Sequence, residues 1–220
     1  MEIKRIFSKT SPETSKNDLV AIENAENALL KRFMLTSLVT VLITATVVII
    51  LLELSGYPGT MNDTQLGFDA GIVKSYFALM SPEDMTFFIL GNLADYAFMV
   101  SYGCFFYSCA KYLSRNYRKG SILQKIGGTV AWIGLLSAAC DAVENVFLLS
   151  MTADPAGFPS WLAIAHSTFA VFKFTLMYVT AGWLIISFIL NRTPLTARML
   201  NKVTGTDLDT RKPGEKPVRN

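Results

Sequence analysis

Ionisable side chains interrupt an apolar segment of this 220-residue chain. The segment 131–151 reads AWIGLLSAACDAVENVFLLSM and carries Asp141, Glu144 and Asn145. A helix repeats every 3.6 residues, so spacings of three and four place these side chains on one face. Two carboxyl groups and an amide on one face can bind the polar head of a ligand, or exchange protons as general acid and base. The pattern therefore indicates a polar site inside an apolar helix.

Two other apolar segments contribute side chains of the same kind. In the segment 86–112, spacings of three and seven residues place three polar side chains on one face, and in the segment 161–190 two more lie seven residues apart. Counted from the external ends at about 1.5 Å per residue, the ionisable groups Asp95, Asp141, Glu144, His166 and Lys173 fall in the outer half of their segments. We therefore expect one shared polar cluster or ligand-binding site, formed by Asn92, Asp95, Tyr102, Asp141, Glu144, Asn145, His166 and Lys173.

Charge balance predicts how these groups pair. A carboxylate at such depth costs about 2.5–3.5 kcal/mol on insertion scales, so isolated charges are unfavourable there. We expect Lys173 to pair with one or two of the three carboxyl groups, with His166 and the two asparagines supplying hydrogen bonds. Because the acids outnumber the lysine, we also expect at least one of them to carry a proton.

The elements that must hold these groups are long apolar helices. Hydrophobic residues make up 51% of the chain and charged residues only 17%, which is more apolar than a soluble domain of this size. Four segments reach the roughly 20 apolar residues that a bilayer requires, namely 33–54, 86–112, 126–151 and 161–190. We predict an all-α fold with a membrane-embedded four-helix bundle over residues 33–190. Residues 1–32 are predicted to form a cytoplasmic arm and amphipathic helix, and residues 191–220 a cytoplasmic tail.

The distribution of Lys and Arg predicts the topology. Of the 20 basic residues, six precede the first segment, five lie in the loop 111–125 and seven follow residue 190. The external loop 55–81 has only Lys74, and the loop 152–160 has none. By the positive-inside rule both termini are cytoplasmic. We therefore predict a multi-pass protein of the cell (inner) membrane.

Amphipathic helices are predicted outside the apolar segments. Residues 15–33 place apolar side chains at helical spacing, which favours either a helix along the membrane surface or an extension of the first segment. In the external loop, after an irregular stretch, a second amphipathic helix is predicted from Phe68, Ile72, Tyr76, Phe77 and Met80. The sequence SPED at 81–84 then marks the start of the second apolar helix.

A short motif connects three of the apolar segments. It consists of an acid in the second segment, the sequence D-x-x-E-N in the third and a lysine in the fourth, which here are Asp95, then Asp141, Glu144 and Asn145, then Lys173. In this arrangement the chain resembles a set of small bacterial four-span integral membrane proteins. The resemblance covers most of the apolar region. It implies the four-span architecture and implies no activity.

We interpret the site as a polar intramembrane pocket that binds a small amphipathic or lipid-like ligand. A membrane enzyme that uses paired carboxylates for acid–base chemistry is an alternative, and so is a structural or assembly subunit whose buried ion pairs only fix packing. A proton-coupled transporter would need oligomers, because four helices are few for transport. No cofactor or metal is expected, since one histidine with carboxylates is a poor zinc set. Membrane lipid is the expected partner, and the sequence leaves open whether the chain forms homo-oligomers. The scattered basic residues argue against binding of nucleic acid.

Overall fold

The computed structural model describes residues 16–192, and every regular element in that range is a helix. The elements are α1 (Lys16–Leu54), α2 (Met61–Leu66), α3 (Ala70–Leu79), α4 (Pro82–Ser114), α5 (Ile122–Thr152) and α6 (Ser160–Arg192). The predicted all-α class is confirmed. The predicted arm before residue 16 and the tail after residue 192 lie outside the described residues.

Four of these helices are long, with 39 residues in α1, 33 in α4, 31 in α5 and 33 in α6. Each contains one of the four predicted apolar segments. Within the described range, three stretches are long and apolar enough to cross a membrane: Ala21–Leu54, Ile122–Thr152 and Ser160–Arg192. The helix α4 is not among them, because polar side chains such as Asn92 and Asp95 lower its mean hydropathy. Those side chains must therefore find partners on neighbouring helices.

Neighbouring long helices pack antiparallel. The helix α1 packs on α4, α4 on α5 and α5 on α6, and α4 also contacts α6. Along the α4–α5 interface Asp95 contacts Asn145, whereas Ser114 lies against Gly127, so residue numbers fall on α5 as they rise on α4. A Cβ at position 127 would lie 2.6 Å from the Cβ of Ser114. Glycine there allows the two helices to approach closely.

The helix α1 is one continuous element. The residues predicted as an amphipathic surface helix form its first turns, so the extension of the first apolar segment is confirmed and a separate N-terminal helix is wrong. Near the start of α1, Glu23 Oε2 lies 3.0 Å from Lys119 Nζ, and Glu26 Oε2 lies 3.3 Å from Arg115 Nη2. These exposed ion pairs connect α1 to the turn between α4 and α5. They favour continuation of the helix over a bend along the surface.

The helix α4 begins as predicted. The side chain of Ser81 accepts a hydrogen bond from the N–H of Asp84 at 3.2 Å, and the Asp84 carboxylate accepts one from the N–H of Ser81 at 3.0 Å. This reciprocal pair is a capping box. Pro82 occupies the first turn, where its missing N–H leaves no bond unmade. The hydrogen bonds from the side chain and the backbone of Ser81 lower the pKa of Asp84.

The helix in the external loop differs in phase from the prediction. It begins after Asp69, whose side chain caps α3, while Phe68 lies outside it with a left-handed φ of 53°. The buried face of α3 includes Val73 and Phe77, whereas Phe68 and Ile72 are 45% and 38% exposed. The predicted face is therefore wrong for Phe68 and Ile72, whereas Phe77 is buried, Met80 packs against the core and Tyr76 contacts the ring of Tyr57. The cap at Asp69 starts the helix later than the apolar spacing indicated, and this shift changes which side chains face inward.

The short helices α2 and α3 cover one end of the long helices, which we call the capped end. The stretch that contains α2 was predicted to be irregular, but Thr60 starts a helical turn there by accepting a hydrogen bond from the N–H of Asp63 at 3.1 Å. Both short helices contact α6, and the N–H of Phe68 donates to Ser167 Oγ at 3.1 Å. An apolar core fills the capped end, formed by Ala70, Val73, Phe77, Phe88, Leu148, Met151, Phe158, Leu162 and Ala163.

Candidate functional site

Lys173 lies at the centre of a buried group of ion pairs. Its Nζ lies 2.6 Å from Glu144 Oε2 and 3.1 Å from Asp141 Oδ1. The lysine extends from α6 and both acids extend from α5, where a spacing of three residues puts them on one face. The side chains of Lys173, Asp141 and Glu144 are 6%, 7% and 0% exposed. Water therefore does not screen these pairs, and removal of one partner would leave a buried, uncompensated charge.

The helix α4 joins this group through Tyr102. The tyrosine hydroxyl donates to Asp141 Oδ2 at 2.9 Å, while Lys173 donates to Asp141 Oδ1. Each carboxylate oxygen of Asp141 thus has its own partner, one from α4 and one from α6. We call this group of side chains the sealed cluster; its members are Tyr102, Asp141, Glu144, His166 and Lys173.

His166 completes the sealed cluster, and its contact with Glu144 indicates that one of these two side chains carries a proton. Its Nδ1 lies 3.2 Å from the backbone carbonyl oxygen of Glu144, and since a carbonyl only accepts, Nδ1 carries a hydrogen. Nε2 then faces Glu144 Oε1 at 3.8 Å, and neither buried atom has a hydrogen-bond partner among the described residues. Two lone pairs that face each other in a dry interior are unfavourable. A proton on either Nε2 or Oε1 removes this repulsion, although the 3.8 Å separation is too long for a hydrogen bond between them.

Asp95 on α4 has a different environment. Its Oδ2 accepts from Asn145 Nδ2 at 2.9 Å, and the same amide donates to the backbone carbonyl of Asn92 at 3.2 Å. The side chain of Asn92 donates to the carbonyl of Phe88 in its own helix at 2.8 Å. None of the ion pairs formed between described residues includes Asp95. The carboxyl group of Asp95 is half-buried, with an amide as its donor.

Asp95 lines a cavity of about 150 Å³. The cavity lies where α1, α2, α4 and α5 meet, and it is lined by Val48, Leu52, Gln65, Gly91, Asn92, Asp95 and Asn145. The wall from α1 is apolar, and the wall from α4 and α5 is polar. A Cβ at Gly91 would lie 2.9 Å from Leu52 Cδ2, so glycine there lets α1 come close. We call this cavity the Asp95 pocket.

The structure brings the eight predicted site residues into two adjoining parts. Five form the sealed cluster, and three line the Asp95 pocket. The consecutive residues Glu144 and Asn145 join the parts, because Glu144 pairs with Lys173 and Asn145 donates to Asp95. Lys173 pairs with two of the three acids, as expected from their number. The third acid, Asp95, takes no part in that pairing.

Sequence reasoning missed the apolar half of the Asp95 pocket. Val48 and Leu52 are one turn apart in the apolar run 47–52 of α1, which contains no polar side chain. Gln65 belongs to the stretch that was predicted to be irregular. The available signal was Gly91, a small residue directly before Asn92 on the polar segment, where a neighbouring helix can approach.

No protein-family model, curated protein or solved structure matches the chain. Residues 16–192 contain no group of three or more His, Cys, Asp or Glu side chains placed to hold a metal ion. The chemistry of the site therefore follows from its own contacts. The sealed cluster joins three helices through buried polar contacts, and the carboxyl group of Asp95 lines the Asp95 pocket.

Proposed function

We propose that the chain is a multi-pass protein of the cell membrane, in which α1, α4, α5 and α6 form an embedded four-helix bundle with both termini in the cytoplasm. Three observations support this proposal: the length and apolarity of three of the helices, the antiparallel packing of neighbours, and the concentration of basic residues at one end of the helices. The helix α4 crosses as a fourth span because its polar side chains bond to α5 rather than facing lipid.

The proposed function of the bundle is to bind a small amphipathic or lipid-like molecule in the Asp95 pocket. The observation that carries this proposal is a half-buried carboxyl group in a cavity of about 150 Å³. A carboxyl group beside the apolar side chains of Val48 and Leu52 suits a molecule with a polar head joined to an apolar tail. The volume suits the head and the first carbons, and the remaining tail would lie in the lipid beside α1.

In this proposal the sealed cluster supports the pocket. Glu144 is held by Lys173, and the next residue on α5, Asn145, bonds to Asp95. An enzyme that uses Asp141 and Glu144 as acid and base is supported less well, because their side chains are 7% and 0% exposed and both pair with one lysine. A substrate would have no access to them.

Filling the pocket tests the proposal. Val48 is buried and lines the pocket, whereas its neighbour Val47 is 44% exposed. Val48→Phe should displace a bound molecule, and Val47→Phe, the same change on the outward side of α1, should not. Mass spectrometry of the small molecules that each purified protein retains gives the result. We expect a species in the unmodified protein and in Val47→Phe that is lost from Val48→Phe. Equal retention by all three proteins, or no retained species in any of them, would contradict the proposal and favour a structural subunit.

A further inference from the structure

The net charge of the sealed cluster determines whether it can compensate the negative charge of Asp95. Lys173 carries one positive charge, and Asp141 and Glu144 together carry two negative charges. A proton on Glu144 or His166, as inferred from the contact of Nε2 with Oε1, supplies the second positive charge. The sealed cluster is then neutral, and both ion pairs of its lysine lie within it. No positive charge is left over to compensate Asp95.

None of the described residues that line the Asp95 pocket is a cation. Asp95 interacts electrostatically with Asp141, whose negative charge disfavours its own, and with Lys173, which already pairs with two other acids. The other polar side chains that line the pocket are the amides of Gln65, Asn92 and Asn145. The Asn145 amide already donates both of its hydrogens, to Asp95 and to the backbone of Asn92. The pocket is therefore rich in acceptors and one positive charge short.

We propose that the molecule bound in the Asp95 pocket carries a protonated amine, an ammonium head on an apolar tail. This inference rests on the binding function proposed above. An ammonium beside Asp95 forms a charge-assisted hydrogen bond and neutralises the carboxylate. Its other N–H groups find acceptors in the side-chain oxygens of Asn92 and Gln65. Val48 and Leu52 receive the first carbons of the tail.

A proton on Asp95 is the competing way to remove its charge. A protonated carboxyl group both donates and accepts hydrogen bonds, so it would hold an alcohol as readily as an amine. An ionised carboxylate instead prefers the ammonium, because the charge-assisted bond is stronger. The two cases therefore differ in one measurable property, the preference for an ammonium head over a hydroxyl head.

Three probes of equal chain length measure that preference: dodecylamine, dodecanol and dodecanoate. The protein is placed in phosphatidylcholine nanodiscs, and the binding of each probe is derived from thermal unfolding followed by tryptophan fluorescence. We expect dodecylamine to bind at least about tenfold more tightly than dodecanol, and dodecanoate to bind most weakly. Asp95→Asn should abolish the preference for the amine. Glu83→Gln, which removes an exposed acid from the same helix, should leave the preference unchanged.

The ammonium can come from a free amphipathic amine or from an aminolipid, and the same assay separates these sources. If an aminolipid supplies the head, adding phosphatidylethanolamine to the nanodiscs raises the unfolding temperature of the unmodified protein, leaves Asp95→Asn unchanged and weakens dodecylamine binding. If a free amine is the ligand, phosphatidylethanolamine has none of these effects. In either case it is the preference for dodecylamine over dodecanol, lost in Asp95→Asn, that supports an ammonium at Asp95.

Equal binding of dodecylamine and dodecanol, with both lost in Val48→Phe, would overturn the ammonium head and leave the pocket in place. A preference for the amine that survives in Asp95→Asn would overturn it as well. If no probe distinguishes the unmodified protein from Val48→Phe, the binding function itself is contradicted. The experiment thus separates failure of the inferred head group from failure of the proposed function.

Discussion

Asp141 and Asp95 are two acids of one helix interface, and their surroundings differ. Asp141 has Lys173 on one carboxylate oxygen and Tyr102 on the other, and it is 5% exposed. Asp95 has one amide donor and a cavity beside it. Burial and acidity alone therefore do not identify a binding site. In the proposed function, Asp141, whose charge is compensated by Lys173, fixes helix packing, and Asp95, which has no ion-pair partner among the described residues, binds the ligand.

The difference arises from which helix lies opposite each acid. The helix α6 packs against α5 and brings Lys173 to the acids of that helix. The helix α1 packs against α4 and brings Val48 and Leu52 to the side of Asp95. A lysine is long enough to reach across such an interface, whereas valine and leucine have no polar atom to offer. On the side of α1, Asp95 therefore meets an apolar wall, and its hydrogen-bond donor comes from Asn145 on α5.

Lys173→Met should produce the largest loss of stability, because it leaves Asp141 and Glu144 without their cation. Removing one partner of a buried ion pair typically lowers the free energy of unfolding by about 3–5 kcal/mol. Lys125→Met, the same change at an exposed position of α5, should change it by less than about 0.5 kcal/mol. Denaturant unfolding of the purified variants in detergent measures both values. If the two variants are equally stable, the sealed cluster does not hold the helices together.

The matched substitutions Asp141→Asn and Asp95→Asn compare the two acids directly. Asp141→Asn removes a charged partner of Lys173 and should lower the free energy of unfolding by about 1.5–3 kcal/mol. Asp95→Asn keeps an oxygen that can accept from Asn145 and removes an uncompensated charge, so it should change stability by less than about 1 kcal/mol. The same unfolding assay gives the order. A larger loss in Asp95→Asn than in Asp141→Asn would reverse the roles assigned to these residues.

The smallest predicted effect concerns which ring nitrogen of His166 carries a hydrogen. The chain has a single histidine, so the ¹⁵N NMR spectrum of histidine-labelled protein reports this ring alone. We expect Nδ1 to carry a hydrogen, because it bonds to the carbonyl of Glu144, and we expect Glu144→Gln to leave that hydrogen in place. A neutral ring with its hydrogen on Nε2 would contradict the charge balance of the sealed cluster.

Most of the fold could be predicted because its signals are local. Each predicted apolar segment lies within one long helix, and the capping box at Ser81 follows from four consecutive residues. The phase of α3 could not be read from apolar spacing, because Asp69 sets the helix start and leaves Phe68 outside. The short helix α2 is stabilised by the cap at Thr60. The sequence around Thr60 is rich in turn-forming residues and is typical of an irregular loop.

The sequence indicated which residues form the polar site, but it did not indicate that they divide between the sealed cluster and the Asp95 pocket. Helical spacing and the number of charges indicated that Lys173 meets two acids. Which acid would be left over depends on how the helices are arranged, and sequence spacing within one helix carries no such information. The apolar wall from Val48 and Leu52 has no local signal at all, because most of α1 has the same character.

An electron-density map of the protein crystallised in lipid with saturating dodecylamine tests the central claim most directly. The account predicts density for the amine head within hydrogen-bond distance of Asp95, with the tail passing Val48 and Leu52. Lys173 should remain between Asp141 and Glu144 in the same map. Solid packing beside Asp95, or an amine bound within the sealed cluster, would contradict the account.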